Sequence, residues 1–325
     1  MTEEDANGPF TLDAATTSEL LANSLRDAVR DLGRRGAVVA ISGGIDSSVA
    51  AALAVKALGT RHVQCLRLPE RDIGQGASDL GLELAEALGA RSIEESITGA
   101  LDGLGCYRRR DEAIRLVFPD YQPDWKHKVV RSPPSGAIIT FSLVVERPDG
   151  ETLRAPMGAE AYRGLIAATN MKQRVRKLLE YTWADQLGYA VIGTPNLLEY
   201  DQGFFVKGGD GLADVKPIAG LYKTQVYALA RALGVPASIT DRTPTTETFS
   251  LAQTQEEFYF GHPYERMDLL LWNHTNGVPA AEAAPAAGIP VEAVEAAYWE
   301  IERRREATRY LHAEPVLLEV AAQKH

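Results

Sequence analysis

The sequence predicts a doubly wound parallel α/β sheet, and three features carry that expectation. Short apolar, β-branched runs alternate with runs of helical periodicity from the start of the chain and again after about residue 163. Several helical runs stop at a glycine, as at Gly59, Gly89 and Gly234. The first strand-to-helix junction reads "SGGIDS" at 42–47, set between "AVVAI" and "SVAALAVKAL". A sheet wound by right-handed crossovers places its ligands at the carboxyl ends of the strands.

Residues 18–32, "SELLANSLRDAVRDL", have the spacing of an amphipathic helix. Residues 37–41 read as a buried strand and 48–58 as an alanine-rich helix. A second strand is expected over 62–69, a helix over 77–89 and a third strand over 90–97. Between 101 and 162 the alternation breaks. Charged and aromatic residues crowd together, and "AIITFSLVVERPDGETLRAP" reads as two strands around a Pro-Asp-Gly turn. We expect 101–162 to be an inserted excursion bearing a hairpin, too poor in apolar residues for a core of its own. The run Arg108-Arg109-Arg110 reads as a solvated face. From Arg163 to Leu187 the helical period returns, followed by a strand in "YAVIGTP" and a helix in "GLYKTQVYALARALG". Residues 246–325 read as a helical C-terminal extension, with Ala280–Ala287 as a linker between helices, and 1–325 as a single domain.

Composition excludes several classes. The 325 residues are 45% hydrophobic and carry a formal net charge of -10, which argues against an extended nucleic-acid surface. Two cysteines, Cys65 and Cys106, form neither a disulfide framework nor a metal-ligand pair and read as buried thiols. The six histidines include no H-E-x-x-H. The N-terminus lacks the basic start and apolar run of a signal peptide, and no stretch of about 18 apolar residues occurs, so cytoplasmic residence is expected.

A strand, a glycine turn and a helix N-terminus gather free backbone N–H groups around one point, where the helix dipole favours negative charge. Such a junction cradles an anion. It lacks Gly-x-x-x-x-Gly-Lys-Ser/Thr and Gly-x-Gly-x-x-Gly, so neither common nucleotide fingerprint describes it. "SGGIDS" instead resembles the pyrophosphatase loop, S-G-G-x-D-S, of enzymes that make acyl-adenylates or related adenylated intermediates.

Further along, 193–230 concentrates Thr194, Glu199, Lys207, Asp210, Asp214 and Lys223 between a strand and a helix. The order G-T-x-x-x-x-E, G-F-F-x-K-x-G-D-G-x-A-D, P-I/L-x-x-L-x-K-x-Q and "PTTE", with "NMKQRVR" upstream, resembles the ammonia-dependent NAD synthetase family over most of 20–250. The resemblance implies a Rossmann-like fold of the adenine-nucleotide alpha-hydrolase type, in a homodimer. It implies ATP-dependent amidation of nicotinic acid adenine dinucleotide to NAD, through an acyl-adenylate, with ATP as co-substrate and Mg²⁺ bound. ATP would be held by Ser42, Gly43, Gly44, Asp46, Ser47, Thr194, Lys223 and Thr245, with Asp46, Lys223 and Thr245 acting in catalysis. Asp46 and Glu199 would hold the metal, as hard oxygen ligands suit a hard cation. Arg174, Lys207 and Asp214 would bind the dinucleotide.

Three features depart from that pattern. Short bacterial members lack an insertion like 101–162. Their C-terminal H-K-R-x-x-P has only Arg303-Arg304-Arg305 as a counterpart, so Arg303 and Arg304 are the candidate substrate contacts there. No glutaminase domain fits in the chain, which leaves free ammonia or a separate glutaminase as nitrogen source. The alternative function is an adenylating amide ligase or amidotransferase acting on another carboxylic acid. The acidic charge and the absence of C-x-x-C pairs weigh against tRNA thiolation or lysidine formation, and retention of both Asp46 and Glu199 weighs against a noncatalytic nucleotide sensor.

Overall fold

The computed structural model describes residues 9–72, 75–131, 140–242 and 248–318. Four parallel strands form the main sheet: β1 (Ala37–Ala40), β2 (Val63–Arg67), β3 (Arg91–Glu94) and β7 (Ala190–Ile192), in the order β3-β2-β1-β7. Register is fixed by pairs such as Val39 with Cys65 and Val39 with Ile192. The chain winds outward from β1 to β3, then returns to lay β7 on the other side of β1. The point where strand order reverses lies between β1 and β7.

Helices cover both faces, which is why the central strands β1 and β7 are apolar throughout, whereas β3 at the edge reads Arg-Ser-Ile-Glu. On one face α1 (Ala14–Asp31), α2 (Ile45–Leu58) and α8 (Lys223–Ala232) bury Leu25, Leu53 and Val226 against Val39 and Ile192. On the other, α4 (Thr98–Gly103), α5 (Cys106–Arg115) and α6 (Ala159–Leu187) pack on Val38, Leu66 and Val191. α3 (Gln75–Ala87) runs against β2 and β3. The 29 residues of α6 make it the longest described helix, and it ends at Gly188 in the left-handed conformation. Both cysteines are free and buried, and burial pushes the Cys65 thiol up to about 12.

Between α5 and α6 lies a three-stranded antiparallel sheet, β4 (Lys126–Arg131), β5 (Phe141–Glu146) and β6 (Thr152–Pro156). The Pro-Asp-Gly turn joins β5 to β6, with the Gly150 N–H donating to the Arg147 carbonyl at 2.9 Å. The sequence suggested two strands here; β4 is the third. Its alternation, His127 and Val129 inward and Lys126 outward, is masked by charge. The sheet has no separate core. Val129, Leu143 and Val145 share a cluster with Ile114, Leu165 and Phe258. Arg108 is solvated beside Glu112, but Arg110 is not: it is 4% exposed and paired with Asp72 and Asp111.

The C-terminal region packs α10 (Tyr264–Thr275), α11 (Ala280–Ala287) and α12 (Val291–His312) around Leu270, Val294 and Ile301. The expected linker at 280–287 is a helix. Alanine propensity outweighs Pro285 because Ala283, Ala284 and Ala287 bury against the neighbouring helices.

Asp268 of α10 fastens α8, whose first N–H groups lack partners within the helix. Its carboxylate accepts from the Thr224 N–H at 2.9 Å and the Thr224 hydroxyl at 3.0 Å. Burial nonetheless pushes its pKa up to about 6, and the Thr224 hydrogen bonds only moderate the rise. The stability this group contributes is complete below its ordinary value of 3.8 and is lost as pH rises through 6. Asp268→Asn keeps an acceptor oxygen and cannot ionise. Relative to wild type it should gain about 2 kcal/mol between pH 4 and pH 7. Urea midpoints at the two pH values measure this, and a pH-independent difference would contradict it.

Candidate active site

A cleft of about 560 Å³ opens at the carboxyl ends of β1 and β7, where the strand order reverses. Its floor is the turn between β1 and α2. Gly43 has φ of 77°, and a Cβ there would stand 2.7 Å from the Ala77 carbonyl oxygen, so only glycine fits. The Gly44 N–H donates to Ser42 Oγ at 3.3 Å, and the Ser47 hydroxyl donates to the Gly44 carbonyl at 3.0 Å. Ser42, Gly43, Gly44 and Ser47 all line the cleft.

Asp46 stands in the first turn of α2, where the helix dipole favours a carboxylate. It pairs with Lys223, the first residue of α8, and accepts from Asn196 Nδ2 at 3.1 Å. Lys223 is 1% exposed; burial opposes its charge, yet Asp46 and then Glu199 hold its pKa up. Glu199 belongs to α7 (Leu197–Asp201), which Asn196 caps. The Glu199 N–H donates to Asn196 Oδ1 at 3.0 Å, and the Asn196 N–H donates to Glu199 Oε2 at 3.2 Å. Burial pushes the Glu199 carboxyl up to about 8, and the Asp46 charge adds to the rise.

The far wall is one face of α6. Asn170, Gln173, Lys177 and Glu180 recur at helical spacing along it, and all line the cleft. Lys177 donates to Glu180 at 2.6 Å, both buried, and burial raises Glu180. Asp210 also faces the cleft, raised by burial although the Val206 N–H donates to it at 2.6 Å.

The structure therefore brings Ser42, Gly43, Gly44, Asp46, Ser47, Thr194, Glu199 and Lys223 together around one cleft. Thr245 lies outside the described residues. Arg174, Lys207 and Asp214 do not line this cleft. Arg174 and Lys207 meet beside it, where Arg174 Nε donates to the Lys207 carbonyl at 3.2 Å. The Lys207 ammonium donates to the carbonyls of Tyr310 and Ala313 at 2.9 and 2.7 Å, closing the end of α12. Asp214 accepts from the Val191 N–H at 2.7 Å and from the Tyr181 hydroxyl at 3.1 Å. Arg303 is exposed and paired with Glu306. Arg304 is buried, paired with Glu300 and donating to the Tyr259 carbonyl at 2.5 Å, which makes it a packing residue here. Sequence reasoning missed Asn196 and the Lys177–Glu180 pair. The N-x-x-E spacing at 196–199 was a usable signal, whereas a lysine and glutamate three apart on a helix resemble any surface pair.

The family model described as NAD synthase matches residues 17–112 and 151–311, leaving β4 and β5 of the inserted sheet between its two blocks. The chain is 50% identical over 310 residues to the NH(3)-dependent NAD(+) synthetase of Rhizobium meliloti (strain 1021), covering 95% of this chain and 93% of that one. Among solved structures, NMN synthetase from Francisella tularensis superposes with a TM-score of 0.66 at 24% identity, covering 95% of this chain and all of that one. NH3-dependent NAD synthetase from Campylobacter jejuni subsp. jejuni gives 0.61 at 20% identity with the same coverage. The two structures share the fold. Identity at the level of half the residues, with the Ser42–Ser47 loop in one matched block and Glu199 and Lys223 in the other, places the chain in the NAD synthase family.

Proposed function

We propose that this chain amidates nicotinic acid adenine dinucleotide to NAD, with ATP as co-substrate and ammonia as nitrogen donor. The observation that carries the proposal is the placement of Asp46, Glu199 and Lys223 above the anion loop, in a chain half identical to an NH(3)-dependent NAD(+) synthetase. The substrate carboxylate attacks the α-phosphorus of ATP, the bond to the β-phosphate oxygen breaks, and pyrophosphate leaves. Ammonia then attacks the acyl carbon, the acyl-oxygen bond breaks, and AMP leaves. No protein nucleophile takes part.

The residues present fit Mg²⁺. Two hard carboxylates share a single lysine, and one of them is held toward its neutral form by burial and by the other's charge, so the site lacks positive charge. Among the described residues no group of three or more acidic, histidine or cysteine side chains is placed to hold a metal ion. Asp46 and Glu199 would hold it, and it would neutralise the phosphate oxygens. The Ser42–Ser47 loop, Thr194 and Lys223 would receive the ATP phosphates, and Lys223, with Thr245, would stabilise the leaving pyrophosphate. Arg174, Lys207 and Asp214, with the exposed Arg303 of α12, remain the proposed dinucleotide contacts; Arg304, expected with them from the sequence, is committed to Glu300 and the Tyr259 carbonyl. We assign the activity to a cytoplasmic homodimer; no described helix is long and apolar enough to cross a membrane.

Purified protein supplied with ATP, Mg²⁺, ammonium and nicotinic acid adenine dinucleotide should yield NAD, AMP and pyrophosphate. Release of AMP with another acid, and no NAD, would favour an amide ligase of different substrate. Asp46→Asn and Glu199→Gln should each lower kcat at least a hundredfold, the effect of about 2.7 kcal/mol of lost transition-state stabilisation, with the far-ultraviolet circular dichroism unchanged. Wild-type turnover in both variants would refute the metal assignment.

Lys207→Ala tests the substrate contact. One lost charge-assisted hydrogen bond is worth about 1.5–3 kcal/mol, so KM for the dinucleotide should rise at least tenfold while KM for ATP changes little. Equal increases in both would point to loosening of α12 instead.

A further inference from the structure

Glu199, the buried acid of the cleft, sits on a helix of only five residues, and a helix that short has no stability of its own. The Asn196 cap fixes the start of α7. The end of α7 is fixed from outside, by one face of α12. Ile301, Arg305, Thr308 and His312 recur along that face at helical spacing. Ile301 packs in the same core cluster as Leu198 of α7. Arg305 grips Asp201 with two nitrogens, Nη2 donating to Oδ1 at 2.9 Å and Nε to Oδ2 at 3.0 Å. Thr308 backs so closely on Gly203, whose φ is 67°, that a Cβ there would run into its side chain. His312 meets Tyr200 edge-on with ring centroids 4.8 Å apart and Phe205 at 5.1 Å.

The grip acts across the short helix. Residues two apart on a helix point about 200° apart, so Asp201 faces α12 while Glu199 faces the cleft, and fixing the first aims the second. Leu198, three residues before Asp201, shares its outer face. Arg305 is itself held: Nη1 donates to Glu302 at 2.8 Å, and Nη2 to the hydroxyl of Thr275, the last residue of α10, at 3.1 Å. A planar fork on a carboxylate fixes orientation as well as distance, which the point charge of a lysine does not. Of the three consecutive arginines, Arg303 pairs with Glu306 and Arg304 with Glu300, both within α12, whereas Arg305 reaches across to α7.

We propose that α12 braces α7 and that Arg305, acting through Asp201, is a positioning residue for the Glu199 carboxylate. The inference rests on the role proposed above for Glu199 in holding Mg²⁺. It gives the third arginine of the triplet a part in the reaction although its side chain does not line the cleft. A group that orients a metal ligand from behind is typically worth about tenfold to a hundredfold in metal affinity or activity, because a ligand free to swing loses its geometry.

Titration calorimetry on the full chain would measure the affinity for α,β-methylene-ATP with and without Mg²⁺, the ratio of the two being the gain due to the ion. Arg305→Gln should cut that gain about tenfold and lower kcat by a similar factor, with KM for the dinucleotide held within about twofold. Asp201→Asn, which opens the same fork from the other side, should do the same. In a Glu199→Gln background Arg305→Gln should reduce the gain no further, since the carboxylate it aims is gone. An unchanged gain in Arg305→Gln, or a further loss on top of Glu199→Gln, would overturn the brace. So would a lower melting temperature and a raised KM with the gain intact, which would make Arg305 a stabiliser of α12 alone. Should Arg305→Gln fail to fold, Asp201→Asn decides. Glu199→Gln with an undiminished gain would sink the metal role on which the inference rests, an outcome that no Arg305 variant can produce.

Discussion

The carboxyl edge of the sheet is organised by one ammonium group, that of Lys223, and by how its charge is balanced. Two helices, α2 and α7, each place an acidic residue in the first turn, Asp46 and Glu199, and both carboxylates act on the same lysine. Burying a lysine alone would cost several kcal/mol; one carboxylate in contact and another nearby make the charged form the stable one. The balance is incomplete in the other direction, because two acids answer to one base. Glu199 carries the imbalance, held toward its neutral form. The Mg²⁺ proposed above would relieve that deficit.

The same arrangement fixes the elements around it. Asn196 caps α7 with its side-chain oxygen while its amide nitrogen donates to Asp46, so the cap of one helix also orients the acid of another. Asp268 holds the N-terminus of α8, from which Lys223 extends. The Gly43 turn lies close enough to the Ala77 carbonyl that α3 limits where the loop can go. Each charged group is positioned by a hydrogen bond made elsewhere, and reacting groups are useful only when so fixed.

Much of this was legible in the sequence because it is local. "AVVAI", "SGGIDS" and the alanine run that follows specify a strand, a turn and a helix within some twenty residues, and those are β1, the anion loop and α2. Glu199 and Lys223 were legible through ordered motifs rather than through chemistry. What escaped depended on distant contacts. Nothing near Arg110 reveals that Asp72 will bury it, and nothing in Lys207 reveals that it will close the end of α12. The helix at 280–287 was missed because its burial comes wholly from α10 and α12, while its composition resembles a linker.

The basic residues on the α6 wall differ in what they can offer a substrate. Lys172 lines the cleft, but its ammonium donates to Glu70 and Asp72, both at 2.8 Å, and to the Thr248 carbonyl at 3.3 Å. Burial works against the Asp72 charge, yet Lys172 and Arg110 hold that carboxyl down at about 2, so the network stays ionised. Replacing such a buried network by apolar side chains often costs no stability, so its value here lies in register. It ties the loop after β2, α5, α6 and the segment starting at Thr248 into one body. Lys177 is likewise committed, to Glu180. Arg176 differs from both: it donates to two neutral acceptors, the Leu68 carbonyl and Gln173 Oε1, each at 3.3 Å, and has no ion pair among the described residues. On this wall, then, the two lysines are structural struts, whereas the Arg176 guanidinium faces the cleft without an ion pair among the described residues, its charge felt by the nearby Glu180 and Asp210 carboxyls.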